Sequence, residues 1–199
     1  IDRVRVTDRS LNIRSHITYL VAVPGQPALG PQMVSVVLGH SLVFLPDQPM
    51  RGREADPRVG FFSTRFQQFD TPGGAAEAPK AQIARFRLEK ANPRAAVSDP
   101  VKPITYYLGP GIPARWKPYI TAGVLQWLPV FEAAGFSNAI RVLDAPTPAQ
   151  DPNWTPEDVT INVIRWVPQE FANAMGPHVV DPRSGETLSA HIQIWPQVL

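Results

Sequence analysis

Proline occupies 23 of the 199 positions, more than twice the frequency of about 5% usual in globular chains. Inside a helix, proline removes a backbone hydrogen bond and clashes with the preceding turn. The chain is therefore expected to fold through many turns and short strands rather than long helices. Any helix it does form must begin at, or break around, its prolines.

Before residue 100 the apolar period is mostly two, as in Val4 and Val6, then Leu11 and Ile13 with Asn12 and Arg14 opposite. This is the pattern of half-buried strands, and the second strand is expected to continue through residues 15–23. A run rich in Val and Leu at 33–45, bounded by Pro31 and Pro46, predicts a strand pair turning near Gly39. Residues 58–69 and 83–88 give two more strands. In the latter, alternation places Arg85 and Arg87 on one face and Phe86 and Leu88 on the other. Residues 71–79, with Pro72, Gly73 and Gly74, read as a flexible connection. The pattern loosens at 92–103, so a β-rich domain is placed at 1–100 and a second domain at 101–199.

The second half is organised differently. Ile104–Leu108 is a strand ended by Gly109, Pro110 and Gly111. Trp116, Tyr119, Ile120, Gly123, Val124, Trp127, Leu128 and Phe131 then recur at spacings of three and four, which predicts one main amphipathic helix. Pro118 fits its first turn, Pro129 should kink it, and Gly135 should end it. Strands come next at 139–143 and 159–167, the second preceded by a helical turn capped by Thr155. A final hairpin joins 177–180 to 188–195 through residues 181–185. The fold class is α+β, with a mixed, twisted sheet in the second half and no internal repeat.

Composition excludes several roles. Lys plus Arg exceeds Asp plus Glu by two, too small a surplus for a nucleic-acid field. Cysteine is absent, so neither a disulfide nor a thiolate metal site can form. No apolar run approaches the roughly 18 to 20 residues of a helical membrane span. The chain starts at Ile1 without an initiator Met and is expected to be a processed or trimmed piece of something longer.

Four constellations invite a chemical reading. His178 and His191 could meet across the last hairpin near Asp181 or Glu186, but no ligand spacing favours a metal over ordinary hydrogen-bonded or surface histidines. Glu157 and Asp158 are read as acids at a helix start. Arg65, Arg85 and Arg87, interleaved with Phe66, Phe69 and Phe86, are read as two faces of strands rather than a nucleic-acid surface. Trp116, Trp127 and Trp166 are read as core, with Trp127→Ala expected to cost about 3 to 5 kcal/mol if buried.

Several segments carry a family resemblance. Ile104-Thr105-Tyr106-Tyr107-Leu108, Phe131-Glu132-Ala133-Ala134-Gly135-Phe136, Asp144-Ala145-Pro146, Val163-Ile164-Arg165-Trp166-Val167, Asn173-Ala174-Met175-Gly176-Pro177 and Asp181-Pro182-Arg183-Ser184-Gly185-Glu186 occur in order. Together they resemble bacterial exported zinc-dependent metalloproteases related to the metzincins. Ser10-Leu11-Asn12-Ile13-Arg14-Ser15, residues 56–63 and Arg87-Leu88-Glu89-Lys90 resemble the domain that precedes the protease in that family.

The resemblance implies a zincin-like half-domain over 101–199, stopping short of the His-Glu-x-x-His helix that binds zinc and activates water. That motif is absent here, and His16, His40, His178 and His191 are scattered. No catalytic or metal-binding residue is assigned; zinc is expected only with a downstream helix. The resemblance further implies that Asn173, Ala174, Met175, Gly176, Pro177 and His178 form a cleft rim on which an extended peptide could pair. Expected partners are protein or peptide, either the downstream half of the same polypeptide or subunits of a larger assembly, with no nucleic acid and no membrane span. An extracytoplasmic location is implied by the same resemblance. The alternative is a catalytically inactive, protease-like scaffold that binds protein within an extracytoplasmic or membrane-associated complex.

Overall fold

The computed structural model describes residues 1–22, 30–67, 80–170 and 173–198. It is α+β and rich in strand. By contacts the chain divides into two compact units, Ile1–Leu45 and Pro46–Leu199.

The first unit is a three-stranded antiparallel sheet in the order β1 (Arg3–Val6), β2 (Ser10–Val21), β3 (Gln32–Val43). The strand pair expected at 33–45 is instead one strand. β3 passes straight through Gly39, which lies opposite Arg14 in a register unbroken from Ser10↔Val43 to Val21↔Gln32. Glycine has no obligation to turn, and here every neighbouring residue already has a partner on β2. Polar pairs lock the register, with Ser41 Oγ donating to Asn12 Oδ1 at 2.7 Å and the Thr18 and Ser35 hydroxyls 2.8 Å apart.

The second unit is built on a six-stranded sheet. Its strands are β6 (Ile104–Leu108), β7 (Ile140–Asp144), β8 (Asn162–Trp166), β9 (Ala174–Met175), β10 (His178–Asp181) and β11 (Glu186–Ile194). The order is β10-β11-β8-β6-β7, with β9 also on β11. β7, β6, β8 and β11 are parallel, whereas β9 and β10 run antiparallel to β11. β8 is central and buried on both faces, with Val163 0% and Ile164 1% exposed, as expected of a parallel strand covered on two sides. On the helix-bearing face Ile104, Tyr106, Leu108, Ile140 and Ile164 form the core. On the other, Tyr107 meets Trp154 edge-on.

The predicted kinked helix is two helices, α1 (Lys117–Leu125) and α2 (Leu128–Ala133), preceded by a 3-10 turn at Ala114–Trp116. Pro118 and Pro129 each sit in a first turn, where the missing N–H costs nothing. Pro129 therefore starts a new helix instead of bending an old one. Gly135, at φ 91°, closes α2. Its N–H donates to Glu132 O and that of Phe136 to Phe131 O, the Schellman pattern.

Residues 46–100 do not separate from residues 101–199. β4 (Ser63–Phe66), shorter than the strand expected at 58–69 and inside it, pairs with β5 (Lys80–Ile83), which is shorter and earlier than the one expected at 83–88; residues 68–79, with the connection expected at 71–79, fall outside the described residues. Arg85 bridges to Glu186 in parallel, and its N–H and C=O bond Gly185 O and Thr187 N. The division by contacts accordingly lies at 45/46 and not near 100. Residues 155–158 form a turn rather than a helix, with Thr155 Oγ1 accepting from Glu157 N at 3.4 Å.

Candidate functional site

The residues expected at a cleft rim, Asn173 to His178, lie together along one border of the six-stranded sheet. β9 pairs Met175 with Gln193 and Ala174 with Ile194, and β10 continues on the same side of β11 with His178 opposite Ala190. Asn173 holds the entry, its Oδ1 accepting from Ala174 N at 2.8 Å and its carbonyl from Trp195 N at 3.3 Å. Pro177 O accepts from His191 N at 2.8 Å. Among the described residues no strand pairs with the outer side of β9 or β10. Met175 is 51% exposed, and an added Cβ at Gly176 would meet nothing within 4 Å. His178 is more sheltered, its ring 5.9 Å from that of Phe62 and its Nδ1 3.3 Å from Gly176 O.

Alternation along the border puts Met175 and His178 on opposite faces of the sheet. Met175 shares the face of Gln193, away from α1 and α2, while His178 shares that of the buried Ala190. A peptide added at this border would thus meet one side chain on each face.

Beside the border, on the helix-bearing face, lies a trough of about 620 Å³ with an almost wholly apolar lining. Ile164, Ile192 and Ile194 form its floor, and Trp116, Ile120, Val124 and Trp127 its wall. Trp127 is 59% and Tyr119 71% exposed, so Trp127 is not the core residue that helical spacing suggested. The apolar positions from 116 to 131 spread over roughly half the helix circumference at about 100° per residue. One sheet face cannot cover that arc, and Tyr119 lies at one end of it; Trp127 lies near its centre on a continuous helix but falls instead at the break between α1 and α2. Trp116 and Trp166 do pack against the core. Burial raises the Tyr106 hydroxyl at the floor to a pKa of about 12, so it remains a neutral hydrogen-bonding group.

The final hairpin carries two part-buried ion pairs. Asp181 is fully buried and receives Arg183 Nε and Nη2 as well as the Arg183 backbone N–H. These bonds from Arg183 hold its carboxyl below the ordinary range. Arg183 also donates to Pro46 O, while Arg87 donates to Gln48 O and to Glu186, at 2.6 Å. Gly185, at φ 75°, lets the turn approach Ile83 O so closely that a Cβ would collide with it. Every group in this cluster has a structural partner.

A resident zinc ion does not fit these side chains. His178 and His191 face opposite sides of the sheet, and His191 Nε2 lies 3.2 Å from both Asp158 O and Ile161 O. Asp181 and Glu186 are committed to arginines. Among the described residues no three His, Asp or Glu side chains converge.

Comparison with known families bears on the first half alone. Residues 1–91 match a family model described as a domain of unknown function, DUF5117. The match covers less than half the chain, taking in all of Ile1–Leu45 and the segment that clasps the final hairpin. No curated protein and no solved structure matches the chain.

The trough and the arginine clasp escaped sequence reading for different reasons. The breadth of the apolar arc was visible in the spacing of Tyr119 and Leu128, which lie about 180° apart at 100° per residue. The Arg87 to Glu186 contact joins residues 99 apart in sequence, and nothing local announces it.

Proposed function

We propose that this chain is the non-catalytic N-terminal portion of a zinc metallopeptidase-like protein and that it shapes a peptide-binding cleft. The observation that carries this reading is the border at Ala174–Met175 and His178–Asp181, antiparallel to β11 and open on its outer side among the described residues. A substrate strand laid there gains affinity from backbone hydrogen bonds and selectivity from the side chains that alternate across the edge. Met175, exposed beside the unobstructed Gly176, is the residue best placed to touch it. The trough supports the same reading, since its apolar floor and wall suit a further helix laid against the sheet. Zinc, water activation and bond cleavage belong to residues outside this chain.

The test is a charge at the rim of the full-length protein. Met175→Glu is expected to weaken binding or turnover of an unstructured peptide about tenfold while leaving the folding transition unchanged. Unaltered peptide kinetics would remove the rim from the cleft.

The exposed Trp127 and Tyr119 favour a second reading, a protease-like scaffold whose trough receives a partner protein. Metal analysis of the native protein separates the two. Stoichiometric zinc and a downstream His-Glu-x-x-His helix fit the peptidase, whereas a zinc-free mature species fits the scaffold.

A further inference from the structure

Residues 15–46 contain no Asp, Glu, Lys or Arg, although such residues make up 18% of the chain. This stretch includes all of β3, which among the described residues is an edge strand of the first sheet, as β1 is on the other side. Exposed edge strands normally carry a lysine, a proline or a bulge that discourages pairing with another chain. β3 has none of these; its twelve residues pair with β2 in unbroken register, and its prolines lie outside it.

The geometry of this edge can be read from its hydrogen bonds. Phe44 N donates to Arg9 O at 2.8 Å, so by antiparallel alternation the even-numbered residues of β3 turn their N–H and C=O groups toward β2. Met33, Ser35, Val37, Gly39 and Ser41 therefore present theirs outward. The strand is also well exposed, with Met33 at 77% and Val37 at 55%.

We infer that β3 is a self-association edge, pairing antiparallel with β3 of a second copy about a two-fold axis near Val37. Electrostatics favours a second copy. Across a two-fold axis each residue near the centre faces its own kind, so any charge there would meet a like charge. An edge emptied of charge is what a self-complementary interface requires, whereas an unlike partner could be matched by opposite charges. With Val37 on the axis, Val36 of each copy lies beside Leu38 of the other. The two sheets become one of six strands with the alternating apolar residues of both on a common face.

The edge is about 40 Å long and about 10 Å thick, so it buries on the order of 400 Å² per copy. That is half of what a standard stable interface buries. A reversible association in the micromolar range is expected.

Sedimentation velocity of the full chain from roughly 1 to 100 µM should show a concentration-dependent dimer. Val37→Pro deletes an outward N–H that β2 does not use and should leave a monomer throughout. Val37→Lys and Val37→Glu should each weaken dimerisation about fivefold, and mixing the two variants should restore it, because opposite charges then meet at the axis. That rescue cannot come from misfolding. A wild-type chain that stays monomeric, a dimer indifferent to Val37→Pro, or a Lys and Glu mixture without rescue would each overturn the proposal. A monomer that floats with anionic vesicles would overturn it and assign the charge-free strands to a lipid surface.

Discussion

The two sheets of this chain obey the same alternation rule and end in different energetic states. In Ile1–Leu45 two of the three strands are twelve residues long and paired in unbroken register, yet the one buried residue among those described is Ser10. In Pro46–Leu199 the strands are mostly four or five residues long, yet Val163, Ile164 and Leu108 are almost entirely removed from water. Period two is enough to specify a strand and its pairing, but a core needs a second layer. The second unit has one in α1 and α2. The first rests on ladder hydrogen bonds and cross-strand pairs worth about 0.2 to 1 kcal/mol each.

Truncation of matched isoleucines exposes this difference most strongly. Ile164→Ala should cost about 2 to 5 kcal/mol, because it removes buried methyl groups and leaves a cavity between sheet and helices. Ile17→Ala, at a half-buried site on β2, should cost under about 1 kcal/mol. Urea unfolding of the two variants gives the contrast directly. Equal losses would mean that the first sheet is covered by a layer of its own and that the distinction between the units is false.

The same contrast explains which features could be read from sequence. β6 was legible to the residue, since Ile104, Tyr106 and Leu108 alternate within a run closed by Gly109, whose N–H bonds Ile164 O. The stop at Gly135 was legible because a positive φ after a helix favours glycine. Gly39 misled, because a glycine between valine-rich segments looks the same in a turn and in a continuous edge strand. The position of residues 46–100 was illegible for another reason: it is fixed by contacts such as Arg85 to Gly185 and Arg183 to Pro46, which span the unit and leave no local pattern. At the candidate rim, the border position followed from the family resemblance and from no local pattern. The opposite facing of Met175 and His178 depended on the register with β11, which only the structure supplies.

Trp127 offers an intermediate test inside the second unit. Although it stands among the apolar positions of the helical segment, its 59% exposure makes Trp127→Ala cost about 1 kcal/mol or less. Thermal unfolding of this variant beside Ile164→Ala ranks the trough margin against the core. A loss of about 3 kcal/mol or more would show that the tryptophan is covered in solution, and hence that something occupies the trough.

The smallest effect expected is a pH dependence carried by His191, on the sheet face away from α1 and α2. Burial, and then the charge of Arg165, lower its pKa from the ordinary 6.5, against an opposing pull from the carbonyls of Asp158 and Ile161 and the charge of Asp158. With both carbonyls facing Nε2, that nitrogen carries the proton in the neutral ring, and further protonation would place a charge on a largely buried side chain. The unfolded chain takes up this proton first as pH falls below about 6.5, so stability is intact above that value and declines below it, levelling once the folded histidine also titrates. Asp181 responds in a lower window. Arg183 lowers its pKa from 3.8, so its contribution is present above that value and is lost only in stronger acid. Urea unfolding between about pH 7.5 and about pH 5 should therefore show a slope that His191→Gln reduces. Superimposable slopes for the two proteins would place the His191 ring in water and remove the second unit's claim to a covered far face.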